Sequence, residues 1–248
     1  YGRSTNFDGT PRKDFVDVRD NGFENVYVAR CDDKGYYEMI LPKRSYNAII
    51  VDDETYDRET LENWVWNFTA FKDMELNFRV GSLEIYNLNV WPNNGGAPTI
   101  FVSFRPMSVH RGNLMDKNKD GIINEEEYAK GKATLTAEEF KKNPYTGITP
   151  ILDENKVKIF LDNNELKIIS VTPYPEFVLT PKRKKVCLTA YIVQALIGKN
   201  RLRSGIHSVR VIIEDELQYD GKLIKEKGEA SYFWVQEANV HHLLKYKF

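Results

Sequence analysis

Residues 116 to 127 read Asp-Lys-Asn-Lys-Asp-Gly-Ile-Ile-Asn-Glu-Glu-Glu, and their spacing is that of a cage for a hard divalent cation. Asp116, Asn118 and Asp120 set side-chain oxygens at the first, third and fifth positions of such a loop, and Ile122 offers its backbone carbonyl at the seventh. Asn124 reaches the ion directly or through a water, and Glu127 closes the loop at the twelfth position with a carboxylate that can bind through both oxygens. Gly121 falls where the chain reverses with a dihedral that a side chain would penalise. Oxygen ligands in this number suit Ca2+, whereas Mg2+ demands a compact octahedron and keeps its waters. An ordinary polar turn is also rich in Asp, Asn and Gly. Such a turn has no reason to place a carboxylate at the twelfth position, or an apolar residue, Ile123, at the eighth.

The pattern resembles the EF-hand calcium loop, and equally one calcium repeat of a dockerin, a module that needs two. The sequence holds one such loop. Sensor EF-hands come in pairs between long amphipathic helices that open on binding. In this chain the preceding stretch, Pro106 to Asn113, carries Pro and Gly without helical periodicity, and the exiting helix spans only about Asn124 to Gly131. The expected role is a calcium staple in a connector. A second short helix is predicted from Thr136, whose hydroxyl with Glu139 forms a capping-box pair, and Pro144 and Gly147 end it.

Catalytic signatures are absent: the sequence has no Gly-x-Ser-x-Gly elbow, no His-Glu-x-x-His and no phosphate-cradling loop. His241 and His242 are adjacent and point different ways, which makes them a poor metal pair. Glu62, Glu75 and Glu84 could supply a glycosidase acid pair, but separation in space defines such a pair and the sequence does not rank them. Trp64 and Trp66 share one face of a strand that Phe68 continues, and Trp91 stands beside the loop Asn93 to Gly96. Exposed, these rings would be platforms for sugars; buried, they are core, which is the ordinary fate of large aromatics. Asn67-Phe68-Thr69 also forms a glycosylation sequon.

The elements that must position these groups are strands. Aromatic residues make up 12% of the 248 residues, with abundant Val, Ile and Thr, and the net charge is -1. Near-neutral charge points away from nucleic acid, and the cluster Lys182 to Lys185 reads as a solvated turn. No apolar stretch is long enough to span a bilayer, and the chain starts without a basic-plus-apolar leader. Cys31 and Cys187 are expected as free thiols, inert if buried. Met74, Leu76, Phe78 and Val80 alternate with Glu75, Asn77 and Arg79 as in a half-buried strand, and apolar runs recur at residues 25–29, 36–41, 48–51, 64–71, 83–91 and 100–104.

The stretch Asn25 to Val28, then Asp33-Lys34-Gly35-Tyr36-Tyr37-Glu38-Met39-Ile40-Leu41-Pro42, then Tyr46 to Ile50, resembles the carboxypeptidase regulatory-like, or transthyretin-like, β-sandwich. The resemblance covers about Gly22 to Val51 and departs at Lys43-Arg44-Ser45, where the family turn carries Gly. It implies a structural or adhesive module and brings no catalytic residues. Strand signals resume at Lys156, and Asp162-Asn163-Asn164 reads as a tight turn. Gly205 to Val211, followed after a long turn by Gly228 to Val235, resembles the last hairpin of a bacterial immunoglobulin-like domain.

The expectation is an all-β protein of two antiparallel sandwiches, 1–106 and 150–248, each with its own core, joined by a calcium-binding connector over 107–149. Its expected function is non-catalytic: a structural or adhesive protein, extracellular or on the surface of a bacterial cell, where calcium is plentiful. Its partners would be calcium and a polysaccharide or another surface protein. The alternatives are a carbohydrate-binding accessory module, using Trp64, Trp66 and Trp91, and a hydrolase.

Overall fold

Period-two alternation makes strands with one apolar face, and continuous apolar runs make strands buried on both faces; both kinds are present. A computed structural model describes residues 1–95, 97–116, 125–180, 183–197 and 204–236. The strands are β1 (Gly2–Asn6), β2 (Phe15–Arg19), β3 (Asn25–Arg30), β4 (Tyr36–Tyr37), β5 (Ala48–Asp52), β6 (Asn63–Trp66), β7 (Phe78–Val80), β8 (Leu83–Pro92) and β9 (Thr99–Ser108). Three short helices follow, α1 (Val109–Asn113), α2 (Glu125–Lys130) and α3 (Ala137–Lys142). The chain then runs through β10 (Val157–Leu161), β11 (Asn164–Glu165), β12 (Lys167–Leu179), β13 (Lys185–Leu196), β14 (Gly205–Tyr219) and β15 (Lys222–Gln236).

These strands form an all-β sandwich whose sheets cross the expected domain boundaries. The largest sheet has the order β11-β10-β14-β15-β6-β5-β2-β3, and a four-stranded sheet has the order β12-β13-β9-β8. Strands from before residue 106 therefore pair with strands from after residue 150 at two places. β6 runs parallel to β15, with Trp64 opposite Ala230 and Trp66 opposite Tyr232, and β9 runs antiparallel to β13, with Phe104 opposite Tyr191. The division into separate sandwiches at 1–106 and 150–248 is not the one the sheets follow. Alternation within a strand reports which face is buried but not which strand lies alongside, so the pattern could not reveal these pairings.

The core follows the sheets. Ile50, Trp64 and Trp66 of the large sheet pack with Ile85, Val102 and Phe104, and also with Ile159, Tyr191 and Ile213, in one cluster drawn from both ends of the chain. The opposite faces of the same strands, through Val16, Ile49, Val51 and Val65, meet Phe78, Val80 and Tyr37 of a small sheet, β4-β1-β7, in a second cluster. This two-sided burial is why Ala48 to Val51 is a continuous apolar run.

Several local expectations match. Asp162 and Asn163 take φ of 48° and 68°, the left-handed pair of a tight hairpin turn. Thr136 caps α3 in a full capping box with Glu139. Cys31 and Cys187 are free and buried, and burial lifts the Cys31 thiol to about 11. Others differ. The predicted strand over 74–80 hydrogen-bonds as a strand only from Phe78, although burial still alternates along it. The long turn expected before Gly228 is a tight one: β14 and β15 pair continuously from Gly205 opposite Gln236 to Tyr219 opposite Lys222, and Asp220 and Gly221 close it with positive φ.

A shared core predicts a single cooperative unfolding transition. Ile159→Ala, buried in the second half of the chain, should cost about 2–5 kcal/mol and lower the melting temperature of the first half equally. Tryptophan emission and far-ultraviolet circular dichroism should coincide on heating; two separated transitions would show that the halves fold independently.

Candidate functional site

Three groups of residues come into question, and tertiary structure treats each differently. The first is the loop from Asp116 to Glu127, expected from its spacing to bind calcium. Asn118, Asp120, Ile122 and Asn124 lie outside the described residues, while Asp116 and Glu127 lie within them. Glu125 and Glu126 at the start of α2 are exposed, but Glu127 is turned inward at 8% exposure, and Asp116 is half-buried. Described structure thus ends before the loop at a half-buried carboxylate, Asp116, and resumes at Glu125, two residues ahead of the buried Glu127.

The flanks of the loop are anchored by packing. Met115, just before Asp116, clusters with Ala133 and Ile148 beneath α2, and Met107 and Leu188 pack against them. Gly147 donates its backbone N–H to the Lys132 carbonyl at 2.8 Å. A Cβ at Gly147 would fall 1.9 Å from the Gly131 carbonyl oxygen, so this contact requires glycine. α1, on the incoming side, is held to the β14–β15 hairpin by ionic contacts. Ser108 and His110 both engage the Glu226 carboxylate, and Arg111 and Lys156 flank Asp215 at 2.6 and 2.7 Å.

The second group is the tryptophans. Trp64 and Trp66 do share a face, as expected, but it is the core face: they are 2% and 8% exposed and stack in parallel with ring centres 4.4 Å apart. Tyr86 meets both edge-on. Trp91 is 39% exposed and stacks on Phe101 at 5.8 Å. The three indoles form no common platform. Residue type alone could not distinguish the fates, because a ring suits a core and a sugar face equally well.

The third group is acidic. Of Glu62, Glu75 and Glu84, the fold brings Glu62 and Glu84 together and leaves Glu75 exposed, bonded by the Asn77 amide. Glu84, near the start of β8, is 1% exposed, and Trp64 Nε1 donates to its Oε1 at 2.9 Å. Its Oε2 is buried with no hydrogen-bond partner, and Glu62, one residue before β6, is the nearby charge that acts on it most. Two ionised carboxylates near one another repel, which favours a proton on one of them. Burial first, and then the Glu62 charge, push Glu84 up to about 8. Burial and the nearby Asp52 push Glu62 up to about 7, and Asp52 itself rises to about 6, again chiefly through burial.

Raised in this way, the pair favours holding a proton near neutral pH. A glycosidase acid must reach a sugar or a water between its two carboxyls. Glu84, 1% exposed and bonded by an indole, presents no open side to one. Among the described residues no group of three or more His, Cys, Asp or Glu side chains is arranged to hold a metal ion.

No protein family and no curated protein matches this chain in sequence. Among solved structures it is similar to BcpA, the major pilin subunit of Bacillus cereus, at 7% identity over 94% of this chain and 68% of that one, with a TM-score of 0.25. It is also similar to CfaE, the adhesive subunit of the CFA/I fimbria of enterotoxigenic Escherichia coli, at 10% identity over 91% of this chain and 73% of that one, with a TM-score of 0.19. Likenesses this distant carry no argument, and the fold rests on the strand pairings described above.

The acid pair makes stability depend on pH. Both folded-state values lie above the ordinary 4.5, so the native state holds protons that the unfolded chain releases. This stabilisation is complete below about pH 4.5 and is lost as pH rises through 7 and 8. Glu84→Gln keeps an acceptor for Trp64 and removes the charge, and it should flatten the fall in melting temperature between about pH 5 and 8. An unchanged slope in the variant would show that the pair does not share a proton.

Proposed function

We propose that this chain is a calcium-stabilised, non-catalytic β-sandwich protein with a structural or adhesive role outside the cell or on a bacterial cell surface. The observation that carries the reading is the complete ligand pattern from Asp116 to Glu127. Its support in the fold is the inward turn of Glu127 beside two exposed glutamates, and the packing of both flanks against one side of the sandwich.

A bound ion would gather Asp116, Asn118, Asp120 and Glu127 around one centre, offsetting the entropy of ordering a segment with few apolar residues. One unpaired loop with short helices suits a staple better than a sensor, and a site of modest affinity suits the millimolar calcium outside cells. The burial of Glu84 beneath Trp64 weighs against a hydrolase, because a sealed carboxyl does not reach a substrate atom or an attacking water.

Calcium at about a hundred times its dissociation constant should add about 2.7 kcal/mol of stability, read as a rise in melting temperature that a chelator reverses. Magnesium should substitute poorly, and Asp116→Ala and Glu127→Gln should each abolish the rise. Identical melting curves with calcium and with chelator would overturn the reading.

A further inference from the structure

A groove of about 360 Å3 opens beside the buried tryptophan stack and is lined without a single charged side chain. Apart from Leu88 its walls are rings, among them Phe23, Trp66 and Tyr86, and the amides of Asn47, Asn67, Asn87 and Asn89. It is built from five separate parts of the sequence, namely the turn after β2, the residue before β5, the end of β6, the middle of β8 and the second half of β15.

The backbone is unusual where it meets this groove. Phe23, Asn67 and Asn87 take φ of 66°, 52° and 54°. A bulky residue such as Phe in the left-handed region is an outlier, and surrounding structure must hold it there. The β8–β9 ladder shifts register between Tyr86 and Asn89, and this bulge turns Asn87 and Asn89 out of the regular alternation.

The amides are held in fixed orientations. Asn67 Nδ2 donates to the Phe233 carbonyl at 2.7 Å, and Asn87 Nδ2 donates to Glu176 Oε1 at 3.0 Å. Asn89 Nδ2 donates to the Asn87 carbonyl at 2.9 Å, which leaves the Asn89 side-chain oxygen as an acceptor. Phe23 is 37% exposed; it stacks on Trp64 at 6.0 Å, and the Arg19 guanidinium lies 5.5 Å from its ring centre, so the ring meets the groove only in part.

We propose that this groove binds a neutral saccharide chain. Amides accept from and donate to neighbouring ring hydroxyls, and aromatic faces take up the apolar C–H face of a sugar. The nearest cations, Arg105 over the Tyr86 ring and Arg19 over the Phe23 ring, are engaged by the Glu176 carboxylate and the Phe23 carbonyl, so an ionised sugar or a phosphate meets no unpaired counter-charge. A peptide would need an apolar pocket or a continuous strand edge; β6 is flanked by β5 and β15, and the bulge breaks the edge of β8. The site differs from the one expected from Trp64, Trp66 and Trp91, of which only Trp66 lines it, and it does not depend on calcium.

The test is calorimetric titration of the whole chain, with and without calcium, against linear hexasaccharides of glucose, xylose, mannose and galactose, with a galacturonate hexamer as the charged comparison. At least one neutral chain should bind with a dissociation constant below about 1 mM. Asn89→Ala and Asn47→Ala, with circular dichroism as for wild type, should each weaken it about tenfold, the equivalent of one hydrogen bond. Trp91→Ala should bind unchanged. No neutral hexasaccharide bound at about 5 mM, strongest binding to galacturonate, or wild-type affinity in both asparagine variants would overturn the proposal.

Discussion

The parallel pairing of β6 with β15 is the constraint on which the rest depends. Only three residue pairs make it, Trp64–Ala230, Val65–Ser231 and Tyr232–Trp66, yet it joins a sheet begun near the N-terminus to the long β14–β15 hairpin. Because side chains alternate across a strand, this one register sends Trp64, Trp66 and Ala230 into the core between the large sheets and sends Val65 and Phe233 to the opposite face. A slip of one residue would exchange the two sets and put an indole pair against the small sheet. The tryptophan stack, the carboxylate beneath it and the groove beside it all inherit their positions from that register.

Buried carboxylates elsewhere show what the protein ordinarily does with them. Asp14 is met by Ser4 and Arg12, Asp215 by Arg111 and Lys156, Glu226 by Ser108 and His110, and Glu229 by Arg79 and Arg210. Each has a hydroxyl, imidazole or cationic partner, as burial of a charge requires. Glu84 has one neutral donor, Trp64, and a second acid. That exception makes a retained proton the economical way to bury it, and it sets this corner of the sandwich apart from the structural ion pairs around it.

The proposed calcium segment and the groove sit on different kinds of support. Residues 107–116 and 125–149 are held by short helices and by two small apolar clusters, around Met115 and around Phe140, apart from the main core. The groove lies on ladder strands with the main core behind them, so its amides and rings are already in place before any ligand arrives, which lowers the cost of binding. An ion would therefore act chiefly on the order of a connector, and a saccharide would meet a preformed surface.

The sequence by itself determined what depends on residues close together in the chain. The Thr136–Glu139 capping box, the Asp162–Asn163 turn and most strands follow from local dihedral preference and from the period of the side chains, and the spacing from Asp116 to Glu127 on which the proposed calcium site rests is likewise local. Tertiary structure alone decided which strands became neighbours, and with that the division of the chain, because a pattern of alternation specifies a face and not a partner. It also decided that Trp64 and Trp66 are core while Trp91 is surface, that Glu84 rather than Glu75 meets Glu62, and that Phe23, Asn47, Asn67 and Asn89 converge on one groove. Those outcomes depend on contacts between residues far apart in sequence, where burial and electrostatics act through distances that only the folded chain sets.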